Sequence, residues 1–262
     1  MKKLFLLLLT LACSTINGAI DSQEKLNFYK NNFAQIKGWL FLDFVDILIK
    51  LDQFQSENEI QGNLAEIGVY EGKLFILLYL LANNDDKVLA VDLFDRQDLN
   101  YDKSGFGCTF ENFINNIKIY CHSDAPKLET ILGDSSAMLA KDYIDKCKNN
   151  FKFRIFSIDG SHRPRETMID LANAVESLVP GGIIIIDDFF NPEWPGVMDG
   201  VTQFLRENKT VKPFCIGFNK LLLTHPEFVE QYQTYLAKDF KPAKYVECFG
   251  SNVAILNALV QM

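Results

Sequence analysis

Two segments of this chain end in groups able to do chemistry. RIFSIDGSH closes on Asp159 and His162, and PGGIIIIDDFF closes on Asp187 and Asp188. Each acid follows an apolar run, and a charge at the tip of such a run stays hydrated while the run itself is buried. Three carboxylates and one imidazole at two strand tips point to a metal-assisted small-molecule site. Hard oxygen ligands suit magnesium, and a divalent ion would draw together carboxylates that otherwise repel. His162, three residues past Asp159, can take a proton near neutral pH as a general base; its competing reading is a helix-start residue without chemistry.

The elements that must position these groups follow from the apolar pattern. Strands are expected at Leu64–Gly68, Val88–Val91, Thr130–Leu132, Phe153–Ile158, Gly182–Ile186 and Asn219–Thr224, with an alternating stretch over Tyr245–Val260. Helical spacing marks Lys73–Asn83, Phe110–Ile119, a segment reaching about Lys146, Arg165–Leu178 and Pro226–Leu236. Near-continuous apolar strands between amphipathic helices give a parallel sheet covered on both faces. The expected fold class is therefore α/β: a doubly wound, Rossmann-like, mostly parallel sheet with helices on both faces and an antiparallel C-terminal strand. Between Leu26 and Leu51 apolar residues recur at helical spacing, predicting one or two helices ahead of the core, and this aromatic-rich stretch offers a contact for a homo-oligomer.

A chain of 262 residues with net charge −8 suits one substantial domain and disfavours a nucleic acid partner. Six cysteines without a CxxC pair argue against structural zinc. Lys2 and Lys3 before the apolar run Leu4–Ala12 read as a signal peptide over residues 1–19, too short for a membrane span. Export follows if that run is processed, and a cytoplasmic location if it is not.

A second group of residues points to a nucleoside. The turn from Ala65 to Gly72 carries Gly68 and Gly72, which allow tight turning and close backbone approach to a ligand at a helix start. The spacing is not the GxGxxG of dinucleotide enzymes, so NAD is disfavoured. Asp92, at the next strand tip, is where a carboxylate accepts hydrogen bonds from ribose hydroxyls. Asp134 either meets an adenine amino group or caps the following helix, a role for which Ser135 competes. A ribose-bearing cofactor without pyrophosphate fits these observations. Trp194, in the Pro- and Gly-rich segment Asn191–Val197, is expected to sit in a stiff loop as a substrate contact or as packing over the sheet.

On these residues the chain resembles a class I S-adenosylmethionine-dependent methyltransferase, of the small-molecule family of macrocin O-methyltransferase type. The resemblance spans roughly Gly62 to Val201 and continues more weakly to Val260. It implies residues 61–262 as the methyltransferase domain behind a helical segment at 20–60. It implies Glu66, Gly68 and Gly72 around the methionine part of S-adenosylmethionine, Asp92 on the ribose and Phe94 near adenine. It also implies Asp159, Asp187 and Asp188 as magnesium ligands, and transfer to a small-molecule hydroxyl. N-methylation on the same fold, or an exported binding protein without catalysis, are the alternatives.

Overall fold

The apolar runs pair into one nine-stranded sheet in the order β3-β2-β1-β4-β5-β7-β6-β9-β8. The structure is a computed structural model that describes residues 23–105, 107–122 and 125–256. The apolar run Leu4–Ala12 and the signal-peptide reading of residues 1–19 lie outside the described residues. Among those described, no helix is long and apolar enough to cross a membrane.

The strands are β1 (Asn63–Ile67), β2 (Val88–Asp92), β3 (Leu128–Leu132), β4 (Phe153–Ile158), β5 (Leu178–Ile186), β6 (Lys212–Gly217), β7 (Lys220–Thr224), β8 (Lys244–Cys248) and β9 (Ser251–Ile255). The helices are α1 over residues 23–32, α2 (Leu42–Glu57), α3 (Lys73–Leu81), α4 (Phe110–Cys121), α5 (Ala140–Cys147), α6 (Pro164–Ser177), α7 (Pro195–Glu207) and α8 (Val229–Leu236). Strands β1 to β5 pair in parallel, and β7 runs antiparallel between β5 and β6. The doubly wound expectation and its antiparallel C-terminal strand both hold.

Alternation along the central strands divides the core in two. Ile183 and Ile185 of β5 join the cluster that includes Phe44 of α2, Phe75 of α3 and Tyr232 of α8. Ile184 and Ile186 join the opposite cluster, with Leu171 of α6 and Val201 of α7. The N-terminal helices share the first cluster, so they are built into the same core as the sheet. The hydroxyl of Tyr29 donates to the carbonyl of Lys73 at 2.7 Å, tying α1 to the start of α3.

Two elements differ from expectation. The segment taken as a stiff loop turns into α7 at Pro195, because proline at the first helical position loses only an N–H that would have no partner there. Of the alternating stretch expected over Tyr245–Val260, the described residues fold as the β8–β9 hairpin, reversed at Phe249 and Gly250, whose φ angles are 52° and 67°; residues 257–260 lie outside the described residues.

Candidate active site

Pairing register decides which side chains meet. Ile67 pairs with Ile158, and Ile158 with Ile186, so Gly68, Asp159 and Asp187 leave the sheet side by side. Ile67 also pairs with Val91, which brings Asp92 to the other flank of Gly68. Leu221 lies opposite Ile186 in the antiparallel pair, and this sets Lys220 next to Asp187. The chain winds outward through β2 and β3 on one side of β1 and through β5 on the other side of β4. The β1 and β4 tips therefore border the crevice where open α/β sheets bind ligands.

A cavity of about 1020 Å³ opens at this crevice. Gly68 is required at its floor: φ is 79°, and a Cβ there would sit 1.6 Å from the Asp159 carbonyl oxygen. Asp92 faces the cavity, its Oδ2 accepting from the Tyr70 N–H at 2.8 Å and its Oδ1 from the Phe94 N–H at 2.7 Å. Burial raises its pKa, with the backbone N–H groups pulling the other way. Each oxygen retains a second lone pair for a ligand hydroxyl. Asp134 also lines the cavity, and its Oδ1 caps the short turn Ser135–Ala137 through the Ser136 N–H at 2.9 Å and hydroxyl at 2.7 Å.

Three sequence-predicted residues do not line this cavity. Phe94 is fully buried, its ring packed on Phe110 and Phe113, while Leu93 faces the space in its place. Gly72 starts α3 with φ 89° and leaves room for the Phe113 ring. Glu66 is buried below the floor beside a small adjoining pocket that Asp159, Asp187 and Lys220 also border. Its Oε2 has no hydrogen-bond partner. Burial, and then Asp159, raise its carboxyl pKa well above the usual range.

The reactive side centres on His162. Its Nδ1 lies 3.0 Å from Asp102 Oδ2, and its Nε2 lies 3.1 Å from Asp188 Oδ2. The His162 backbone N–H donates to the same Asp102 oxygen at 2.8 Å. The imidazole stacks on Trp194, with centroids 4.2 Å apart and planes 17° from parallel. Burial works against its charge, but hydrogen bonds to Asp102 and Asp188 outweigh it and bring the pKa up to about 9. Asp159, His162 and Asp188 each present a ligand atom within 4.8 Å of the others. Burial, and then neighbouring Asp187, raise the Asp159 pKa.

Asp187 stands apart from that trio. Its Oδ2 is bound by the ammonium of Lys220, and its Oδ1 accepts the Asp188 backbone N–H at 2.8 Å. Asp188 adopts φ 57°, and its Oδ2 lies against His162 Nε2.

Sequence reading missed Lys220 and Asp102. Lys220 reads as an ordinary charged start to an apolar strand, and only strand pairing reveals its partner. Asp102 lies in a loop without periodicity, where no local pattern marks it. Trp39 and Phe41, both exposed, join the cavity wall from the segment ahead of α2.

Residues 65–189, β1 through the tip of β5, match the family described as a methyltransferase domain. Among solved structures, the O-methyltransferase NovP aligns with this chain at TM-score 0.57 and 16% identity, over 70% of this chain and 80% of its own. Apo CalS11, a TDP-rhamnose 3'-O-methyltransferase, aligns at TM-score 0.51 and 14% identity, over 79% and 93%. At such identities the likeness is one of fold. No curated protein matches the sequence.

Proposed function

We propose that this protein is a methyltransferase that transfers the methyl group of S-adenosylmethionine to a hydroxyl oxygen of a small-molecule acceptor. The observation that carries the reading is that one cavity is bordered by the Gly68–Asp92 flank and by the Asp159–His162–Asp188 trio. A nucleoside held on the first flank presents its sulfonium toward the second. The acidic lining favours that cation electrostatically.

In the transfer, the acceptor oxygen forms a bond to the methyl carbon as the carbon–sulfur bond breaks, and the electron pair stays on sulfur to give a neutral thioether. The hydroxyl proton must leave, and His162 is the basic group within the trio. Both its ring nitrogens face carboxylates. With its pKa brought up to about 9 the ring is protonated on both nitrogens at neutral pH, so proton acceptance at Nε2 requires His162 first to lose the Nε2 proton it shares with Asp188, and Asp188 then to turn to another donor, such as the incoming hydroxyl. Asp102 holds Nδ1 and the backbone N–H, keeping the ring aimed while this exchange occurs.

The residues fit a divalent ion through Asp159 and Asp188, since magnesium is commonly bound by one or two carboxylates with substrate and water completing its shell. Bound there, it would lower the pKa of the acceptor hydroxyl. Asp187, the third expected ligand, faces Lys220 instead.

Calorimetric titration with S-adenosylmethionine, with and without magnesium, tests the reading. Binding in both conditions is expected; no binding in either removes the proposal.

A further inference from the structure

Lys220 is 2% exposed, a rare state for a lysine unless it is paired. It heads β7 directly opposite the β5 tip, and its ammonium binds Asp187 while bordering the cavity. Asp159, Asp188 and the buried carboxylate of Glu66, whose Oε2 has no hydrogen-bond partner, all act on it electrostatically. Among the described residues that line the cavity, Lys220 and His162 are the basic side chains. Four carboxylates thus converge on one strand-tip region with a single buried ammonium among them. Both Asp187 oxygens are engaged, Oδ2 by Lys220 and Oδ1 by the Asp188 N–H, so the pair also fixes the left-handed backbone that sends Asp188 toward His162.

We propose that Lys220 is a positioning residue acting as a resident cation: it takes Asp187 for itself, leaves Asp159 and Asp188 facing the acceptor, and holds the affinity for a divalent ion low. The assignment rests on the methyltransferase reading of the cavity. Its physical basis is occupancy. An ammonium inside a carboxylate cluster supplies part of the positive charge that an ion would otherwise bring, and it repels that ion. The site therefore stays assembled without metal.

The test is manganese binding to the full chain, followed by electron paramagnetic resonance. Lys220→Met is expected to bind manganese about tenfold or more tighter than the parent, while Lys220→Arg, which keeps the charge, retains the parent's weak binding. A loss of packing alone cannot raise ion affinity, so equal or weaker binding by Lys220→Met overturns the proposal. Should that variant fail to fold, the double variant Lys220→Met/Asp187→Leu removes the pair as a neutral unit. It is expected to bind manganese within about threefold of the parent, and loss of binding would show Asp187 to be an obligatory ligand and overturn the assignment. S-adenosylhomocysteine titrated into the parent reports the cofactor site separately. Its failure to bind would remove the proposed function, whereas a normal titration beside an unchanged Lys220→Met removes only the role of Lys220.

Discussion

The imidazole of His162 lies flat against the indole of Trp194, centroids 4.2 Å apart and planes 17° from parallel. The two arrive from different elements, His162 from the loop after β4 and Trp194 from the residue capping α7. The contact joins the candidate proton acceptor to a wall of the acceptor cavity. Aromatic pairs of this kind contribute about 1 kcal/mol beyond their buried area. Trp194→Ala is therefore expected to raise KM for the acceptor about fivefold or more, with the dissociation constant of S-adenosylhomocysteine unchanged. Steady-state kinetics beside calorimetry separates the two, and an equal loss on both ligands would place Trp194 in general packing.

The charge on His162 has a consequence for stability. Its folded pKa is raised from 6.5 to about 9, so folding favours its protonated form. That contribution is fully present below pH 6.5 and is lost as pH rises through about 9. Unfolding free energy should decline between these limits by about 3 kcal/mol at most. Urea titrations at pH 6.5 and 9.5 measure the decline, and His162→Gln should flatten it. A parent protein equally stable at both pH values contradicts the carboxylate–imidazole–carboxylate arrangement.

What the sequence made legible was whatever depends on local pattern. Asp159, Asp187 and Asp188 stand out because each ends an apolar run, and the register places their backbones together as the pattern requires. Partnership across strands left no local trace. Lys220 meets Asp187 only because β7 inserts antiparallel beside β5, and nothing within FNKLLLT distinguishes a buried lysine from a hydrated one. Phe94 shows the same limit in a loop. Its φ of 45° turns the ring into the α4 packing and leaves Leu93 to face the cavity, a reversal that residue type does not encode. Helix α7 was hidden for another reason, since Pro195 and Gly196 break helices in general yet suit the first turn of this one.

Asp170, on α6 behind the β3 and β4 tips, supplies a second pH test. It is fully buried in α6, with Oδ2 accepting from the Ser135 hydroxyl at 3.1 Å and Oδ1 without a partner. Burial raises its carboxyl from 3.8 to about 7. The folded state then binds the proton more tightly than the unfolded state, so stability falls as pH rises from about 4 to about 7 and the full cost persists above that. Asp170→Asn should stabilise the protein by on the order of 3 kcal/mol at pH 8 and by little at pH 4. Denaturant unfolding at the two pH values decides it, and an equal gain at both would mean that charge is not the cause.

Arg154 anchors the N-terminal helices from beneath the sheet. Its side chain on β4 is 2% exposed; Nη1 donates to Asp52 at 2.7 Å and to Gln55 at 2.8 Å on α2, and Nη2 donates to the Leu81 carbonyl at 3.1 Å. Asp86 lies 3.6 Å from Nη2 and is equally buried. Burial raises the Asp52 pKa and Arg154 opposes that rise, so removing the guanidinium strands a carboxylate in a dry setting. Arg154→Met is expected to cost about 3–5 kcal/mol of unfolding free energy. Replacing both partners in Arg154→Met/Asp52→Leu should recover much of that loss, because a neutral apolar pair leaves less charge to desolvate. Thermal melts of the three proteins measure the coupling. If the double variant is no more stable than Arg154→Met, the arginine contributes through Gln55 and the Leu81 carbonyl, and its attraction to Asp52 is a minor part of how α2 is held.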